Sequence, residues 1–378
     1  MKNLTKKLAL FFKFFIGVNV SKKIATLENS IVFTALNNKY CDNSKYLYEY
    51  LKINGHNVFY ITNSPACPEG VKFGSKEHFT LIKNCSAVCF THSSRDIATY
   101  IPNRVKKINL WHGSPIKKMG FDSPVDLAWL KKYKWLPLKN PYEKWDFIII
   151  QSKFFLSAFC SALSCGTEKI LITGLPRNDI LYYPKEKNKE KVLKKIGIPS
   201  GQEIVLYAPT FRDEGDNITL HCEAIKKIFI TQFPDKYLAI RLHPFDQSKI
   251  PKTLYSGNII NANNIEDIQD ILQITNTLIT DYSSVAFDFA SSNKKIILYC
   301  PDRESYERSR GGLYFDIENL PFEYCETIDS LTNKIADDDT SYQYGEFGEH
   351  GACRKIESFM LAKNLIKPNN QSIKKGAI

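Results

Sequence analysis

No stretch of the chain reaches the roughly 18 consecutive apolar residues that a bilayer-spanning helix requires, so no membrane span is expected. C-x-x-C pairs are also missing. The most closely spaced of the ten cysteines are Cys85/Cys89 and Cys160/Cys165, and no Cys/His group has zinc-ligand spacing. A structural zinc site is therefore not expected, and neither is the disulfide framework of a small secreted domain. Many of these cysteines lie in apolar runs, as buried free thiols do, which points to a reducing, cytosolic setting. No internal repeat is visible. The first acidic residue is Glu28.

The chain has 378 residues, too many for one ordinary core, so two or three domains are expected. Its 43% hydrophobic content is that of a globular protein. Lys and Arg number 51 against 40 Asp and Glu, a formal charge of +11. That balance suits an anionic partner such as a membrane surface, nucleic acid or a phosphorylated substrate, or else an ordinary basic surface.

The acid-free N-terminus has a helical pattern. Leu4, Leu8, Phe11, Phe12 and Phe15 share one face, and Lys2, Lys6 and Lys13 lie opposite. Such a helix suits the interface of an anionic membrane. Packing onto the protein itself is the second reading. A signal peptide is the third, although Lys13 interrupts its apolar core and no A-x-A site follows.

Short apolar runs then alternate with amphipathic segments. Ser30–Leu36, Asn57–Thr62, Ala87–Thr91, Val105–Leu110, Asp146–Gln151 and Lys169–Thr173 read as strands, with helical patterns such as Ser44–Ile53 between them. The Lys/Glu-dense stretch Lys185–Lys195 reads as a solvated helix or linker and marks a domain boundary. Alternation resumes with Glu203–Ala208, Tyr237–Leu242, Asn258–Ile260, Thr277–Thr280 and Lys295–Cys300. The pattern predicts two doubly wound α/β domains, 26–185 and 186–365, facing a cleft, with a basic segment 1–25 before them and a polar tail 366–378 after them.

Polar residues gather where the strands end, the edge at which open α/β sheets bind ligands. Val105–Leu110 leads into Trp111-His112-Gly113-Ser114-Pro115-Ile116-Lys117-Lys118, and Tyr237–Ile240 leads into Arg241-Leu242-His243-Pro244. Thr280-Asp281-Tyr282-Ser283-Ser284 precedes a helical register containing Asp288, so the serines could offer hydroxyls to phosphate or merely cap the helix. In Tyr207-Ala208-Pro209-Thr210-Phe211-Arg212-Asp213, Arg212 could grip a phosphate or pair with an acid. Gly174-Leu175-Pro176-Arg177-Asn178-Asp179 is either a site or a rigid turn with an Arg–Asp pair. Arg310-Gly311-Gly312-Leu313-Tyr314 is either a backbone anion clamp or a turn. Each histidine alone could be structural. Convergence of at least four such loops on one edge favours a site, and His56, His78, His92, His221 and His350 have no such framing.

Together and in this order, these motifs resemble the CDP-glycerol glycerophosphotransferase family, the teichoic-acid primases and polymerases. Asp42-Asn43-Ser44-Lys45-Tyr46-Leu47-Tyr48-Glu49-Tyr50-Leu51 is similar to the family's early helix, and the resemblance runs from about Ser30 to Phe359. Phe211 stands where the family often has Trp, and Ser114 where it often has Thr. The resemblance implies a GT-B-like architecture in which the second domain binds most of the CDP-glycerol. It also implies that His112 and His243 are essential.

On that reading, glycerol phosphate passes to a hydroxyl of a lipid-linked or polymeric cell-surface glycan, of teichoic-acid or capsule type, and CMP is released. His112 is the general base. His243, Arg212 and Arg241 offset charge on the breaking pyrophosphate. Ser283 and Ser284 hold phosphate oxygens. Gly113, Ser114, Arg177, Asp179, Thr210, Thr280, Asp281, Asp288, Arg310, Gly311 and Gly312 complete the expected substrate-binding set. No metal, cofactor or nucleic acid is expected. The enzyme is expected on the cytoplasmic face of an anionic membrane, as a peripheral protein. A GT-B glycosyltransferase using a nucleotide sugar, a ribitol phosphate transferase using CDP-ribitol, and a catalytically silent membrane-binding protein are the alternatives.

Overall fold

A computed structural model describes residues 2–131, 142, 144–212, 218–337 and 342–368. Its frame is two parallel six-stranded sheets. The first contains β1 (Ile31–Phe33), β2 (Val58–Tyr60), β3 (Ala87–Phe90), β4 (Lys106–Asn109), β5 (Phe147–Ile150) and β6 (Ile170–Ile172), in the order β2-β1-β3-β4-β5-β6. The second contains β7 (Glu203–Tyr207), β8 (Lys236–Ile240), β9 (Ile259–Asn261), β10 (Thr277–Thr280), β11 (Lys295–Tyr299) and β12 (Glu323–Cys325), in the order β12-β11-β10-β7-β8-β9. Continuous apolar runs such as Phe147-Ile148-Ile149-Ile150 build these strands because helices cover both faces of a parallel sheet. Every strand expected from the sequence is present. β12 was not anticipated, because Glu323-Tyr324-Cys325 is short and polar.

Each order reverses once, between β1 and β3 in the first sheet and between β7 and β10 in the second. Ligands bind open α/β sheets outside the strand ends at such reversals. The two domains bring these edges face to face. On one side they are fused by an aromatic core, in which Phe155 meets Phe287 at 4.9 Å and Phe154 meets Phe315 at 4.3 Å between ring centres. The solvated helix Glu186–Ile196 stands between the two sheets in sequence. The chain then returns to the first domain. Helix Ala352–Ala362 buries Cys353, Ile356 and Met360 in the same cluster as Ile31 and Leu47.

Helix α1 (Lys2–Val20) lies against α3 (Lys76–Asn84). Its packing residues are not the expected stripe. Phe14 and Val18 are buried, and Gly17 sits so close to Phe79 that a β-carbon there would lie 2.5 Å from the ring. A glycine at this point lets the two helices touch. Leu8, Phe11, Phe12 and Phe15, expected to act as one face, stay at least a third exposed, as does Ile16. The side chain of Leu4 lies outside the described residues. The sequence also offers Lys131-Lys132-Tyr133-Lys134-Trp135, basic residues interleaved with aromatics, for membrane contact, and 132–135 lie outside the described residues as well.

Candidate active site

The cleft between the domains has a volume of about 1730 Å³. His112, Gly113, Ser114 and Arg177 line it from the first domain, and Thr210, Arg241, His243, Ser283, Ser284 and Asp288 from the second.

His112 leaves β4 through a strained corner. Trp111 has φ +56°, rarely adopted by a bulky residue. Three hydrogen bonds hold it there. The Trp111 N–H donates to Asn109 Oδ1 at 2.7 Å, and Asn43 Nδ2 donates to the carbonyls of Leu110 and Trp111 at 3.1 and 2.9 Å. Asn43 lies in the first turn of α2 (Asp42–Ile53), and its Oδ1 accepts from the Arg177 N–H at 3.1 Å. One buried amide therefore joins the histidine loop to the 174–179 turn. The sequence offered only a weak signal for this role, its place in the Asp42–Leu51 segment.

The two histidines have opposite proton arrangements. His112 Nδ1 lies 3.0 Å from the Thr91 carbonyl, which can only accept. Nδ1 therefore carries the hydrogen and Nε2 keeps its lone pair. His243 Nδ1 accepts the Phe245 N–H at 3.4 Å where it caps the helix Pro244–Gln247, so its hydrogen is on Nε2. One imidazole offers an acceptor and the other a donor. Burial pushes His112 down to about 4, aided by His92, so it is neutral at physiological pH. Burial also lowers His243.

Arg177 crosses the cleft floor. It bonds Asp42 at 2.8 Å in its own domain and Asp288 at 2.6 and 3.3 Å in the other. Burial opposes its charge, but the two carboxylates keep it protonated beyond the ordinary arginine value. Ser114 donates to Gln151, whose amide donates to the carbonyls of Phe287 and Phe347 in the second domain. Ser283 Oγ accepts the Val285 N–H at 3.3 Å, and Ser284 begins the helix Val285–Ala290 without a side-chain cap bond. Arg241 lines the cleft, but its guanidinium donates to the carbonyls of Ala262, Ile265 and Glu266, so it shapes the loop after β9.

Several expected substrate-binding residues lie off the cleft wall. Arg212 is clamped by Asp281, Asp302 and the Thr210 carbonyl, and Asp281 also accepts from Thr210. The buried Thr280 hydroxyl donates to the Ala208 carbonyl at 2.7 Å. Asp179 accepts the N–H groups of Gly351, Ala352 and Cys353 at 2.8 to 2.9 Å and so caps the last long helix. The Gly311–Gly312 loop crosses between domains. The Lys118 N–H donates to the Gly312 carbonyl, and the Tyr314 N–H to the Ile116 carbonyl, which braces the histidine loop. The side chain of Arg310 lies outside the described residues.

Among the described residues, no group of three or more His, Cys, Asp or Glu side chains is arranged to hold a metal ion, and no helix is long and apolar enough to cross a membrane.

The sequence signature of the CDP-glycerol:poly(glycerophosphate) glycerophosphotransferases matches residues 16–350. The chain belongs to this family. It is an enzyme of the glycerophosphotransferase class, and the resemblance first seen in the motifs is thereby established. A teichoic acid glycerol-phosphate transferase of Staphylococcus aureus (strain NCTC 8325 / PS 47) is 28% identical over 352 residues, covering 84% of this chain and 86% of that protein. A teichoic acid poly(glycerol phosphate) polymerase of Bacillus spizizenii (strain ATCC 23059 / NRRL B-14472 / W23) is 32% identical over 248 residues, covering 62% and 61%. The wall teichoic acid polymerase TagF has the same fold, with a TM-score of 0.76, 20% identity and coverage of 97% of this chain and 98% of that one. The fold is GT-B-like, as expected.

Proposed function

We propose that this glycerophosphotransferase moves glycerol phosphate from CDP-glycerol to a hydroxyl of a lipid-linked or polymeric cell-surface glycan of teichoic-acid or capsule type. The observation that carries the mechanism is the pair of histidines with opposite proton arrangements on facing walls of one cleft. The acceptor oxygen attacks the phosphorus that bears glycerol. Its proton goes to His112 Nε2, a step worth roughly 10²–10⁴ in rate. The bond to the CMP phosphate breaks, and CMP leaves with that electron pair. His243 Nε2–H faces the growing negative charge as a donor. The hydroxyls of Ser283 and Ser284 hold phosphate oxygens. Arg177 sits too deep in its carboxylate pair to neutralise the donor alone, so its role is to hold the walls together.

The exposed apolar side of α1 supports a peripheral seat on the cytoplasmic face of an anionic membrane. Phe12 and Ile16 are 55% and 57% exposed, with Lys6 and Lys13 also at the surface. Apolar burial and charge attraction would act together there.

The test is a donor screen that follows CMP release from CDP-glycerol and CDP-ribitol, and nucleotide release from UDP- and CMP-sugars. CMP release from CDP-glycerol that depends on acceptor and is abolished in His112→Ala is expected. Turnover of a nucleotide sugar instead would reject the reading.

A further inference from the structure

We infer that His92 is a positioning residue for this reaction: its imidazole stacks on the ring of the general base and fixes the plane and the reacting nitrogen of His112. The two rings lie 3.9 Å apart, centre to centre, at an interplanar angle of 10°. Both are tethered to one residue. The Thr91 carbonyl meets His112 Nδ1 at 3.0 Å, and the Thr91 hydroxyl meets His92 Nδ1 at 3.0 Å. On the other neighbour, Trp111 stacks on His112 at 4.9 Å and 23°. His92 is off the cleft wall, so it acts through His112 and not on substrate.

The stack also sets a charge rule. Two imidazoles at this separation resist carrying a proton each, because like charges at short range oppose one another. The groups facing the pair are Asp42 from α2, Asp96 from the segment after β3, and Arg177 from the 174–179 turn. The aspartates favour protonation and Arg177 opposes it. Burial is the largest influence on both rings and lowers both. The nitrogen behind a histidine base is often held by a backbone carbonyl or a carboxylate. Here a neutral carbonyl stands behind Nδ1 and a second imidazole lies on the ring face, an arrangement that keeps the base free of its proton before substrate arrives.

This inference rests on His112 being the base, so the test separates the two claims. CMP release from CDP-glycerol would be followed across pH for His92→Ala, His92→Phe and His112→Ala. His92→Ala should lower kcat by about tenfold or more, with KM for CDP-glycerol little changed, since only the base is misplaced. His92→Phe keeps a flat ring that cannot titrate. It should retain kcat within about threefold and move the acid limb of kcat/KM to higher pH, because the opposing imidazole charge is gone. Nitrogen NMR of the His112 ring supplies a readout independent of turnover. The wild-type ring should be protonated at Nδ1, and His92→Ala should mix the two tautomers. Wild-type kcat, acid limb and tautomer in folded His92 variants would overturn the inference. If His92→Ala fails to fold, His92→Phe with the ring titration decides it. Transfer that survives His112→Ala would instead overturn the base assignment itself.

Discussion

Gly113 faces Ser284 across the cleft so closely that a β-carbon at 113 would lie 2.5 Å from the Ser284 hydroxyl and 3.0 Å from its Cβ. The glycine next to His112 therefore sets how near the two domains approach, and its φ of +150° also disfavours a side chain. Gly113→Ala should keep the fold but push the two loops apart by a few tenths of an ångström or more. A displacement of this kind costs up to about 10² in rate. Circular dichroism and CMP release measured together check this. Wild-type kcat/KM in the alanine variant would mean that the contact is not used.

Arg177 is a buried ionic tie between the domains, alongside the Lys45–Asp267 pair. Arg177→Met leaves Asp42 and Asp288 facing each other without a cation, and breaking a buried pair in this way costs roughly 3–5 kcal/mol. Arg177→Lys cannot fork between two carboxylates and should recover only part of the loss. Urea unfolding of both variants, with Asp288→Asn added to Arg177→Met as partial rescue, reads the effect. Equal midpoints for Arg177→Met and wild type would remove the tie from the account.

Acid should weaken the fold through its buried neutral histidines. His78 lies beneath α1 against Phe14 and Phe73, and burial pushes it from 6.5 down to about 4. In the unfolded chain it protonates near its ordinary value, while the folded protein resists until about pH 4. The unfolded state thus binds more protons between those values. The stability from neutral His78 is fully present above pH 6.5 and is lost progressively as pH falls toward 4, by on the order of 3 kcal/mol at most. His112 adds a loss over the same window. His78→Gln should flatten the fall in urea midpoint between pH 6.5 and pH 4.5. An unchanged slope would exclude His78 as a source.

Membrane association is best probed without deleting α1. Removing residues 1–20 would strip Phe14 and Val18 from the core and expose Phe79. The triple variant Leu8→Ser, Phe12→Ser, Ile16→Ser spares that packing. It should sediment less with phosphatidylglycerol vesicles while keeping transfer to a soluble acceptor analogue. Wild-type binding should weaken as salt rises, each lysine near the surface contributing roughly 1 kcal/mol. Undiminished sedimentation of the variant would move the anchor elsewhere.

Ser283→Ala combined with Ser284→Ala should raise the dissociation constant for CDP-glycerol more than it alters the KM of the acceptor. Calorimetry with CDP-glycerol on the folded double variant gives the answer. An unchanged constant would take both hydroxyls off the donor.

The sequence by itself determined the local elements and the family. Apolar runs such as Phe147–Ile150 can only be satisfied in a sheet covered on both faces, so their placement follows from composition alone. His112 and His243 were readable as strand-end residues because the polar break after each run is local. What the residues around them do was decided by distant partners. Arg212, Arg177 and Asp179 look alike in sequence, as charged residues in turn-rich loops. Only the fold gives the first to Asp281 and Asp302, the second to Asp42 and Asp288, and the third to the N-terminus of a helix more than 170 positions away. The helical pattern of α1 likewise fixed a helix but not its buried side, because every face from Leu8 to Val18 carries apolar residues and the choice fell to the side of Gly17, where Phe79 comes close. His92 carried no signal at all. Its ring meets His112 because β3 and β4 are adjacent parallel strands that end at the same level, a pairing set by the whole sheet and not by either segment.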